Sequence, residues 1–401
     1  EHFEFLLKYA EKALADETVP TPLAMMGKKS RVYYEPLGTI LVISPWNYPF
    51  YQALTPITAA LVAGSTVVYK PSEITPLEGL VESFLERAGI PEDWVQVVYG
   101  AGDVGSQLID QRPEKIFFTG SVGTGKKIMA QASQQLIPVE LELGGKDPML
   151  VFDNVTVERA VQGALWGALT NVGQSCTSVE RLYVQRGIYK DFRDRLVAAA
   201  KQITLGIDTD GSSDMGRMTS PRQVSIVSEL VNDATANGAT LLCGSEWDGK
   251  SEFIPPIIIE GSTHAMRINQ EELFGPVVTI FPFDTEEEAV RMANDSAFGL
   301  SASVWTSDMA LADRVTRALV TGNVSVNNVM LSEGNHSLPF GGVKDSGIGR
   351  YKGAHGLRGF CNQKSVLIDG DSKKIEANWY PYTEKKYTLF GALTQALFSH
   401  G

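Results

Sequence analysis

Short runs rich in β-branched residues alternate with helical patterns along most of the chain, and this alternation limits the fold more than any other feature. In the first part of the chain the pattern predicts strands at 39–43, 66–69, 95–98 and 115–118. Each strand is separated from the next by a helical pattern, as in a parallel sheet wrapped by helices. The first part therefore predicts a βαβ nucleotide-binding half.

The alternation starts again after about residue 145. Strands are predicted there at 148–152, 181–184, 276–282, 301–305 and 323–326, again with helical patterns between them. A second α/β domain is therefore expected to follow the first, which agrees with a length of 401 residues.

Composition excludes several classes of protein. With 43% hydrophobic and 20% charged residues, the chain matches a globular average rather than a disordered or fibrous one. Its 47 acidic and 35 basic residues give a net charge of −12. Because phosphate neutralisation requires a basic surface, a nucleic-acid partner is not expected.

The cysteines and the N-terminus bear on metal content and location. Cys176, Cys243 and Cys361 lie far apart, with no CxxC and no His at metal-ligand spacing, so we expect no metal site and a reducing compartment. The chain opens in an amphipathic helical pattern without a signal-peptide layout, which predicts a cytoplasmic location. The absence of an initiator Met leaves open whether residues precede Glu1.

Two motifs carry groups that together could make and hydrolyse a thioester. Glu142 stands in the segment ELELGGK and Cys176 in NVGQSCT. A thiol can attack a carbonyl, and a carboxylate can activate water. Taken singly, each residue has a plainer explanation, since a lone Cys is often buried filler. Glu140, two residues earlier on the same strand face, competes with Glu142 for the role of base.

A glycine cluster follows the strand at 115–118. Gly120, Gly125 and Lys126 fit GxxxxGK, but Lys127 stands where a phosphate loop needs Ser or Thr, so that motif is excluded. The spacing is not GxGxxG either. Backbone N–H groups at Gly120 and Ser121 could still meet an anion such as a pyrophosphate. A purely structural turn is the alternative.

Polar residues also follow two earlier strands. Lys70 and Glu73 could hydrogen-bond the hydroxyls of a ribose, or could be ordinary surface charges at a helix start. Asn47, after the strand that ends at Ile43, could donate an amide N–H to an oxyanion. Alternatively, Asn47 caps the helix that follows.

Two later segments complete the set of motifs. The segment QEELFGPV places Glu272 and Phe274 at the head of a strand, where a helix end and turn are the alternative. The glycine-rich segment 338–347 could be only a long ordered connection.

These seven segments occur in the order and approximate spacing of the NAD(P)-dependent aldehyde dehydrogenase superfamily, which the chain resembles from about residue 30 to 368. The resemblance implies an α/β fold with a Rossmann-like cofactor domain, a second α/β catalytic domain and strands for oligomerisation. The implied domains are an NAD-binding domain at 1–144, with 28–36 in an oligomerisation hairpin, a catalytic domain at 145–345, a return segment and oligomerisation strand at 346–368, and an aromatic tail at 369–401.

The resemblance also implies roles for individual residues. Cys176 would be the nucleophile, Glu142 the base for the hydrolytic water, and Asn47 with the Cys176 N–H the oxyanion hole. Cofactor contacts are implied for Ile43, Trp46, Lys70, Glu73, Gly120, Ser121, Gly125, Leu143, Glu272 and Phe274.

The implied reaction is oxidation of an aldehyde to its carboxylic acid through a thioester on Cys176. The presence of Glu142 separates the chain from the coenzyme A-acylating branch of the fold, which typically lacks that carboxylate. NAD is the expected cofactor, with NADP also accepted, because a carboxylate at Glu73 repels a 2′-phosphate. Trp166, Leu169 and Val172, with no Arg between 160 and 180, favour an apolar aliphatic or aromatic aldehyde.

Assembly is expected from two further segments. Residues 28–36 and 363–368 are predicted as exposed strands, and exposed edges favour pairing between subunits, giving a homodimer or a tetramer. The aromatic tail is too short and too charged for a good transmembrane span. It could pack against the domain, guard a substrate tunnel or lie on a membrane surface.

Two rival functions stay open from the sequence alone. A Cys–His hydrolase would also form a thioester, but none of the five His residues lies in a comparable motif. A nucleotide-binding protein without catalysis would keep the α/β body and leave Cys176 as filler.

Overall fold

The computed structural model describes residues 1–371, 375–376 and 378–398, without the side chains of Ala24, Leu397 and Phe398. The last three residues of the predicted tail, which include His400, therefore lie outside the described residues.

Helices occur throughout the described chain. Their bounds are α1 His2–Leu14, α2 Pro49–Val62, α3 Leu80–Arg87, α4 Gly102–Asp110, α5 Val122–Ser133, α6 Val157–Leu169, α7 Arg186–Ala200, α8 Pro221–Ala236, α9 Arg267–Gln270, α10 Glu286–Asn294, α11 Met309–Ala318, α12 Leu331–Gly334, α13 Gly353–Arg358 and α14 Glu384–Phe398. Short 3-10 turns occur at Leu23–Met25, Glu92–Trp94, Thr170–Gly173 and Lys344–Ser346.

The strands form three sheets. Their bounds are β1 Glu17–Val19, β2 Lys29–Pro36, β3 Thr39–Ile43, β4 Thr66–Lys70, β5 Val95–Val97, β6 Lys115–Thr119, β7 Val139–Glu142, β8 Asp147–Val151, β9 Val179–Gln185, β10 Thr240–Cys243, β11 Ile257–Glu260, β12 Val277–Phe283, β13 Ser301–Trp305, β14 Asn323–Val326, β15 Gly347–Ile348 and β16 Cys361–Ile368.

A six-stranded sheet places the first group of motifs at one edge. Its order is β15-β7-β6-β3-β4-β5, and only β15 runs antiparallel to its neighbour. Ile43 is in register with Lys70 and with Phe118, and Thr119 is in register with Glu142. The carboxyl ends of four neighbouring strands therefore meet, which is where open α/β sheets bind ligands.

A seven-stranded sheet, in the order β10-β11-β12-β9-β8-β13-β14, forms the second α/β layer. It is parallel except for β10. The sequence analysis assigned no element between 203 and 275, yet α8, β10 and β11 lie there. The two strands have four residues each, too few for a clear period. Helix α8, by contrast, has a readable signal, because Ser220 and Pro221 precede apolar residues at helical spacing.

The chain forms two compact units. One consists of Glu1–Ala15 and Tyr34–Gln363 and contains both large sheets; the other consists of Asp16–Tyr33 and Lys364–Gly401. The predicted boundary between 144 and 145 falls between β7 and β8, so it separates the two large sheets. The division into a cofactor domain and a catalytic domain stays a prediction.

The third sheet corrects one expectation. Residues 28–36 were expected to form an exposed strand, but the order β1-β2-β16 makes β2 the central strand. The unpaired edges of this sheet in the described chain therefore belong to β1 and β16. Strand β16 is largely exposed, as predicted for 363–368.

Exposed apolar residues of the tail lie both before and within α14. Those exposed by more than one third include Trp379, Tyr380, Tyr382, Tyr387, Leu389, Phe390 and Leu393. No helix in the described ranges is long and apolar enough to cross a membrane.

A buried ion pair joins β6 to β7. The Lys115 ammonium donates to the Glu140 carboxylate and to the Gly359 carbonyl at 2.7 Å, and it faces the Phe360 ring at 4.9 Å. Burial raises the pKa of Glu140, and Lys115 acts in the opposite direction. The Glu140 carboxylate is therefore held in a buried ion pair. Glu142, on the same strand, has no such partner among the described residues.

We predict that Lys115→Met lowers the free energy of unfolding by about 3–5 kcal/mol, because it leaves the buried Glu140 carboxylate unpaired. Urea denaturation measures the change. Lys126→Met is the matched control: it removes an exposed pair with Asp345 at 2.9 Å and should cost less than about 1 kcal/mol. Equal losses in the two variants would contradict this account of the core.

Candidate active site

The structure brings the Glu142 and Cys176 motifs together in one cavity of about 230 Å³. Cys176, Glu142 and Asn47 line it together with Glu272 and Phe274. Glu142 comes from the end of β7, and Cys176 comes from the loop between α6 and β9. Residues far apart in the sequence can therefore act on one small molecule.

A strained turn positions Cys176. Three consecutive residues before it, Asn171, Val172 and Gly173, have left-handed backbone conformations with φ of 52°, 60° and 69°. For the β-branched Val172 this costs about 1–3 kcal/mol. A Cβ at Gly173 would lie 2.1 Å from the Gly275 carbonyl oxygen, so the close approach of the two loops requires glycine.

Four carboxyl groups act on the Cys176 thiol. Burial raises the pKa of Cys176 well above its ordinary value, and the Glu333, Asp147, Glu272 and Glu142 carboxylates raise it further. The thiol therefore stays protonated at neutral pH when the chain has no bound ligand. A nearby base must accept its proton before the sulfur can attack a carbonyl.

Glu142 has the properties of such a base. Both of its carboxylate oxygens are buried and have no hydrogen-bond partner among the described residues. Burial raises the pKa of Glu142 well above its ordinary value, and Glu140 adds to the effect. Gly341 leaves the room for this carboxylate, since a Cβ there would lie 2.7 Å from Oε1. An unpaired buried carboxylate calls for a functional explanation.

Asn47 connects the loop after β3 to the loop that carries Cys176. Its Nδ2 donates to the Gln174 carbonyl at 3.1 Å, and Asn171 Nδ2 donates to the Asn47 carbonyl at 3.0 Å. The N-cap of α2 is Tyr48, with no side-chain capping bond. The alternative in which Asn47 caps this helix is therefore wrong.

A second cavity, of about 570 Å³, collects most of the predicted cofactor contacts. Its lining includes Ile43, Trp46, Lys70, Glu73, Gly120 and Ser121. Trp46, Gly120 and Ser121 also line the Cys176 cavity, so the two cavities are contiguous.

The glycine turn ends at a helix start. Ser121 is the N-cap of α5, and its hydroxyl accepts from the Thr124 N–H at 3.4 Å. A Cβ at Gly120 would lie 2.5 Å from the Phe118 ring, so glycine lets the chain turn closely over β6. The N-terminus of α5 thus adjoins both cavities, where its dipole favours an anion.

Lys70 and Glu73 lie on the wall of the larger cavity. The Lys70 ammonium is buried, donates to the Pro71 carbonyl at 2.9 Å and lies 3.9 Å from the Glu73 carboxylate. Burial lowers the pKa of Lys70, and Glu73 partly offsets the shift.

Two predicted contacts lie elsewhere. Leu143 lines the smaller cavity rather than the larger one. Gly125 lines neither, because it faces the Leu143 side chain, where a Cβ would lie 2.6 Å away. The expected ligand contact at Gly125 is thus replaced by close packing of α5 on the sheet.

Glu272 and Phe274 close the other end of the site. Glu272 Oε1 accepts from the Gly145 N–H at 3.0 Å, and the Phe274 ring meets the Trp46 ring edge-on at 5.4 Å. Burial raises the pKa of Glu272 to about 8, with a further contribution from Glu180.

Sequence reasoning missed several lining residues. Lys127 and Arg222 line the larger cavity, and Gln52 and Gln223 line the smaller one. Arg222 and Gln223 follow the Ser–Pro start of α8, so recognition of that helix would have pointed to them.

The predicted apolar wall lies in a third cavity, of about 520 Å³. Trp166, Leu169 and Val172 line it, but Cys176 does not. Arg217, outside the sequence window searched for Arg, lines this cavity and lies 3.4 Å from Glu252. The absence of Arg between 160 and 180 therefore does not keep Arg away from this wall.

No group of three or more His, Cys, Asp or Glu side chains that could hold a metal ion occurs within residues 1–371 and the described parts of the tail.

Comparisons with known proteins agree with this geometry. The model of the aldehyde dehydrogenase family matches residues 1–366. A 4,4′-diapolycopene aldehyde oxidase from Methylomonas sp. is 42% identical over 385 residues, which cover 96% of this chain and 72% of that protein.

Solved structures match as well. Betaine aldehyde dehydrogenase from Staphylococcus aureus, in complex with NAD⁺, superposes with a TM-score of 0.87 at 35% identity, covering 95% of this chain and 76% of that one. An NADP-dependent enzyme from E. coli has the same TM-score at 34% identity, covering 92% and 76%.

The site geometry leads to a test by pH. Glu272→Gln is expected to raise the free energy of unfolding by on the order of 2 kcal/mol at pH 9 and to leave it unchanged below pH 4.5. The reason is that folding raises the pKa of Glu272 from 4.5 to about 8, so its ionisation destabilises the fold as pH rises through that window. Urea denaturation from pH 4.5 to 9 measures the effect.

Glu271→Gln is the matched control. Arg267 lowers the pKa of Glu271, so its stabilisation is present above about pH 4.5 and is lost as pH falls. This variant should lose stability at neutral pH. The same pH dependence in both variants would refute the buried state of Glu272.

The family match, the α/β fold with its parallel sheets and the similar solved enzymes confirm the predicted enzyme class: the chain belongs to the aldehyde dehydrogenase family, whose members oxidise small aldehydes.

Proposed function

We propose that the protein uses NAD to oxidise an apolar aliphatic or aromatic aldehyde to its carboxylic acid, through a thiohemiacetal and a thioester on Cys176. One observation carries the proposal: Cys176 shares its cavity with the unpartnered, buried carboxylate of Glu142. A nucleophile and a base in one small cavity can serve both halves of such a reaction.

The residues present fit a dinucleotide. The larger cavity offers the Lys70 ammonium and the start of α5, and it continues into the Cys176 cavity past Trp46. Each cavity also has a carboxylate in its lining, Glu73 in the larger one and Glu272 in the smaller one. When bound, the nicotinamide would supply the hydride acceptor beside Cys176.

In the first half of the reaction, Glu142 accepts the Cys176 proton and the thiolate adds to the aldehyde carbonyl. The negative oxygen then needs donors, which Asn47 Nδ2 and the Cys176 N–H would supply. Because Asn47 is already held by Gln174 and Asn171, it need not reorganise during the step.

In the second half, Glu142 removes a proton from water, which attacks the thioester and releases the acid. A base works best when its pKa lies near the operating pH, and burial moves the pKa of Glu142 in that direction. Glu140 cannot substitute easily, since its carboxylate is paired with Lys115.

We predict that Glu142→Gln gives a burst of NADH equal to about one equivalent per active site, formed more slowly than in the wild-type protein because Gln cannot accept the Cys176 proton. Turnover after the burst should be at least about 100-fold slower, because general-base catalysis of the hydrolysis contributes about that much or more. Cys176→Ala should give neither. Stopped-flow absorbance with NAD and aldehydes measures both. Undiminished steady-state turnover in Glu142→Gln would remove Glu142 from the mechanism.

The same assay separates the rival functions. Turnover without NAD would indicate a hydrolase, although no His lines the Cys176 cavity. No turnover with any aldehyde would leave a nucleotide-binding protein.

The apolar preference rests on Trp166, Leu169 and Val172, which line the neighbouring cavity of about 520 Å³ together with Arg217. The similar proteins act on different aldehydes, so family membership does not name the substrate. Measuring kcat/KM for a panel of aliphatic, aromatic and trimethylammonio aldehydes tests the preference. A highest kcat/KM for the cationic trimethylammonio aldehyde would refute it.

We predict that Glu73→Gln raises kcat/KM for NADP relative to NAD by about tenfold. The carboxylate can accept from a 2′-hydroxyl but repels a 2′-phosphate, and Lys127 and Arg222 line the same cavity and would favour that phosphate once the carboxylate is removed. Steady-state kinetics with both cofactors measure the ratio. An unchanged ratio would show that Glu73 does not select the cofactor.

Assembly and location remain part of the proposal. A homodimer, or a tetramer, is supported by the unpaired edges of β1 and β16 in the described chain. Contact of the exposed aromatic tail with a membrane surface and a cytoplasmic location stay predictions.

A further inference from the structure

Lys352 is a buried ammonium that the proposed reaction does not use. Only 6% of the residue is exposed, and its backbone is left-handed, with φ of 62°. Its Nζ donates to the Glu333 carbonyl at 2.6 Å. Such a conformation and such burial are both costly for lysine, so the surroundings must hold it in place.

Three aromatic rings form a cage around this ammonium. Nζ lies 4.7 Å from the ring centre of Phe340 and 5.2 Å from those of Tyr51 and Tyr351. Ring faces attract a cation and replace part of its lost hydration. The cage therefore keeps Lys352 charged without giving it a carboxylate as direct partner.

The cage does not line the Cys176 cavity itself but lies in the hydrophobic cluster behind Cys176. Phe340 and Tyr351 exchange two backbone hydrogen bonds, of 2.7 and 2.9 Å, and both rings lie in the hydrophobic cluster against which Cys176 packs. The next residue, Gly341, is the one that makes room for Glu142. The ammonium is thus held by the same elements that surround the nucleophile and the base.

Several ionisable groups face Lys352. Glu333, Glu142 and Cys176 raise its pKa, while burial lowers it more strongly, to about 8. Two imidazoles on the other side, His336 and His2, have pKa values that burial first and Lys352 next lower below their ordinary range, so both are neutral.

Other ionisable groups nearby also act on this site. Arg350 also favours the ionised form of Glu142, but it is engaged with the Gly342 and Gly349 carbonyls. Tyr51 and Tyr351 have pKa values raised by burial, so both stay neutral.

We propose, resting on the function above, that Lys352 is a positioning residue whose caged charge stabilises the Cys176 thiolate and the Glu142 carboxylate. Every carboxylate that acts on Cys176 opposes ionisation of its thiol. A fixed positive charge behind the cavity reduces that cost, so a larger fraction of Cys176 is present as the thiolate at a given pH. Lys352 touches no reacting atom and acts only through its field.

The test is the rate of Cys176 alkylation by iodoacetamide at about pH 7, where Lys352 carries its charge, in the enzyme without cofactor or aldehyde. Lys352→Met and Lys352→Gln are expected to be alkylated about tenfold more slowly, because loss of the charge lowers the fraction of thiolate. Lys352→Arg, which keeps the charge, should restore most of the rate. Alkylation of Cys176→Ala is subtracted to remove any contribution from Cys243 and Cys361.

Lys344→Met is the matched control. Lys344 also has a left-handed backbone and also donates to carbonyls, those of Asn294 and Ser296 at 3.0 and 2.9 Å, but it contacts none of the cage rings. It should leave the alkylation rate at about pH 7 unchanged. Thermal unfolding identifies any variant that fails to fold, and Lys352→Gln retains a donor for the Glu333 carbonyl.

An alkylation rate at about pH 7 that stays at the wild-type value in folded Lys352→Met or Lys352→Gln would overturn the proposal. Because alkylation needs neither NAD nor aldehyde, this result is independent of whether the proposed oxidation occurs. A failure of the reaction itself would instead be seen as turnover that survives Cys176→Ala.

Discussion

A buried ion pair between Lys146 and Glu180 holds the active site together. Lys146 lies four residues after Glu142, and Glu180 lies four residues after Cys176. The Glu180 carboxylate accepts from the Lys146 ammonium and also from the Leu273 and Phe274 N–H groups, each at 3.0 Å. Removing either partner would leave an uncompensated buried charge, which is strongly unfavourable. Three separate motifs are therefore bound to one point in the core.

Several local features that lower the stability of the fold occur around the Lys146–Glu180 pair. Val172 has a left-handed backbone, the Glu142 oxygens lack partners, and Glu272 is buried against the Gly145 N–H. Each feature lowers stability, yet each leaves a group ready to meet a ligand or a reacting atom. The surrounding parallel strands, buried on both faces, supply the stability that tolerates them.

The sequence predicts the regular part of the fold well. Strands at 39–43, 301–305 and 323–326 have the predicted bounds, because β-branched runs between helical patterns leave little choice. The family, the enzyme class and the convergence of Cys176, Glu142 and Asn47 on one cavity also follow from motifs, although their catalytic roles stay predictions. Four-residue strands such as β10 and β11 have no readable period.

Contacts between distant residues are what the sequence cannot predict. The close packing of Gly125 on Leu143, the central place of β2 and the presence of Arg217 beside Trp166 depend on which elements meet in space. The same holds for the Lys352 cage, whose rings come from α2 and from the segments around β15. No local pattern distinguishes a lysine that will be buried in this way from one in water.

The most direct test of the account is intact-mass spectrometry of Glu142→Gln, quenched after mixing with NAD and an aldehyde. The account predicts one added acyl group per chain, with a mass equal to the aldehyde less two hydrogens, mapped by proteolysis to Cys176. An adduct on Cys243 or Cys361, or no adduct while NADH forms, would contradict the thioester on Cys176 and the role of Glu142 in its hydrolysis.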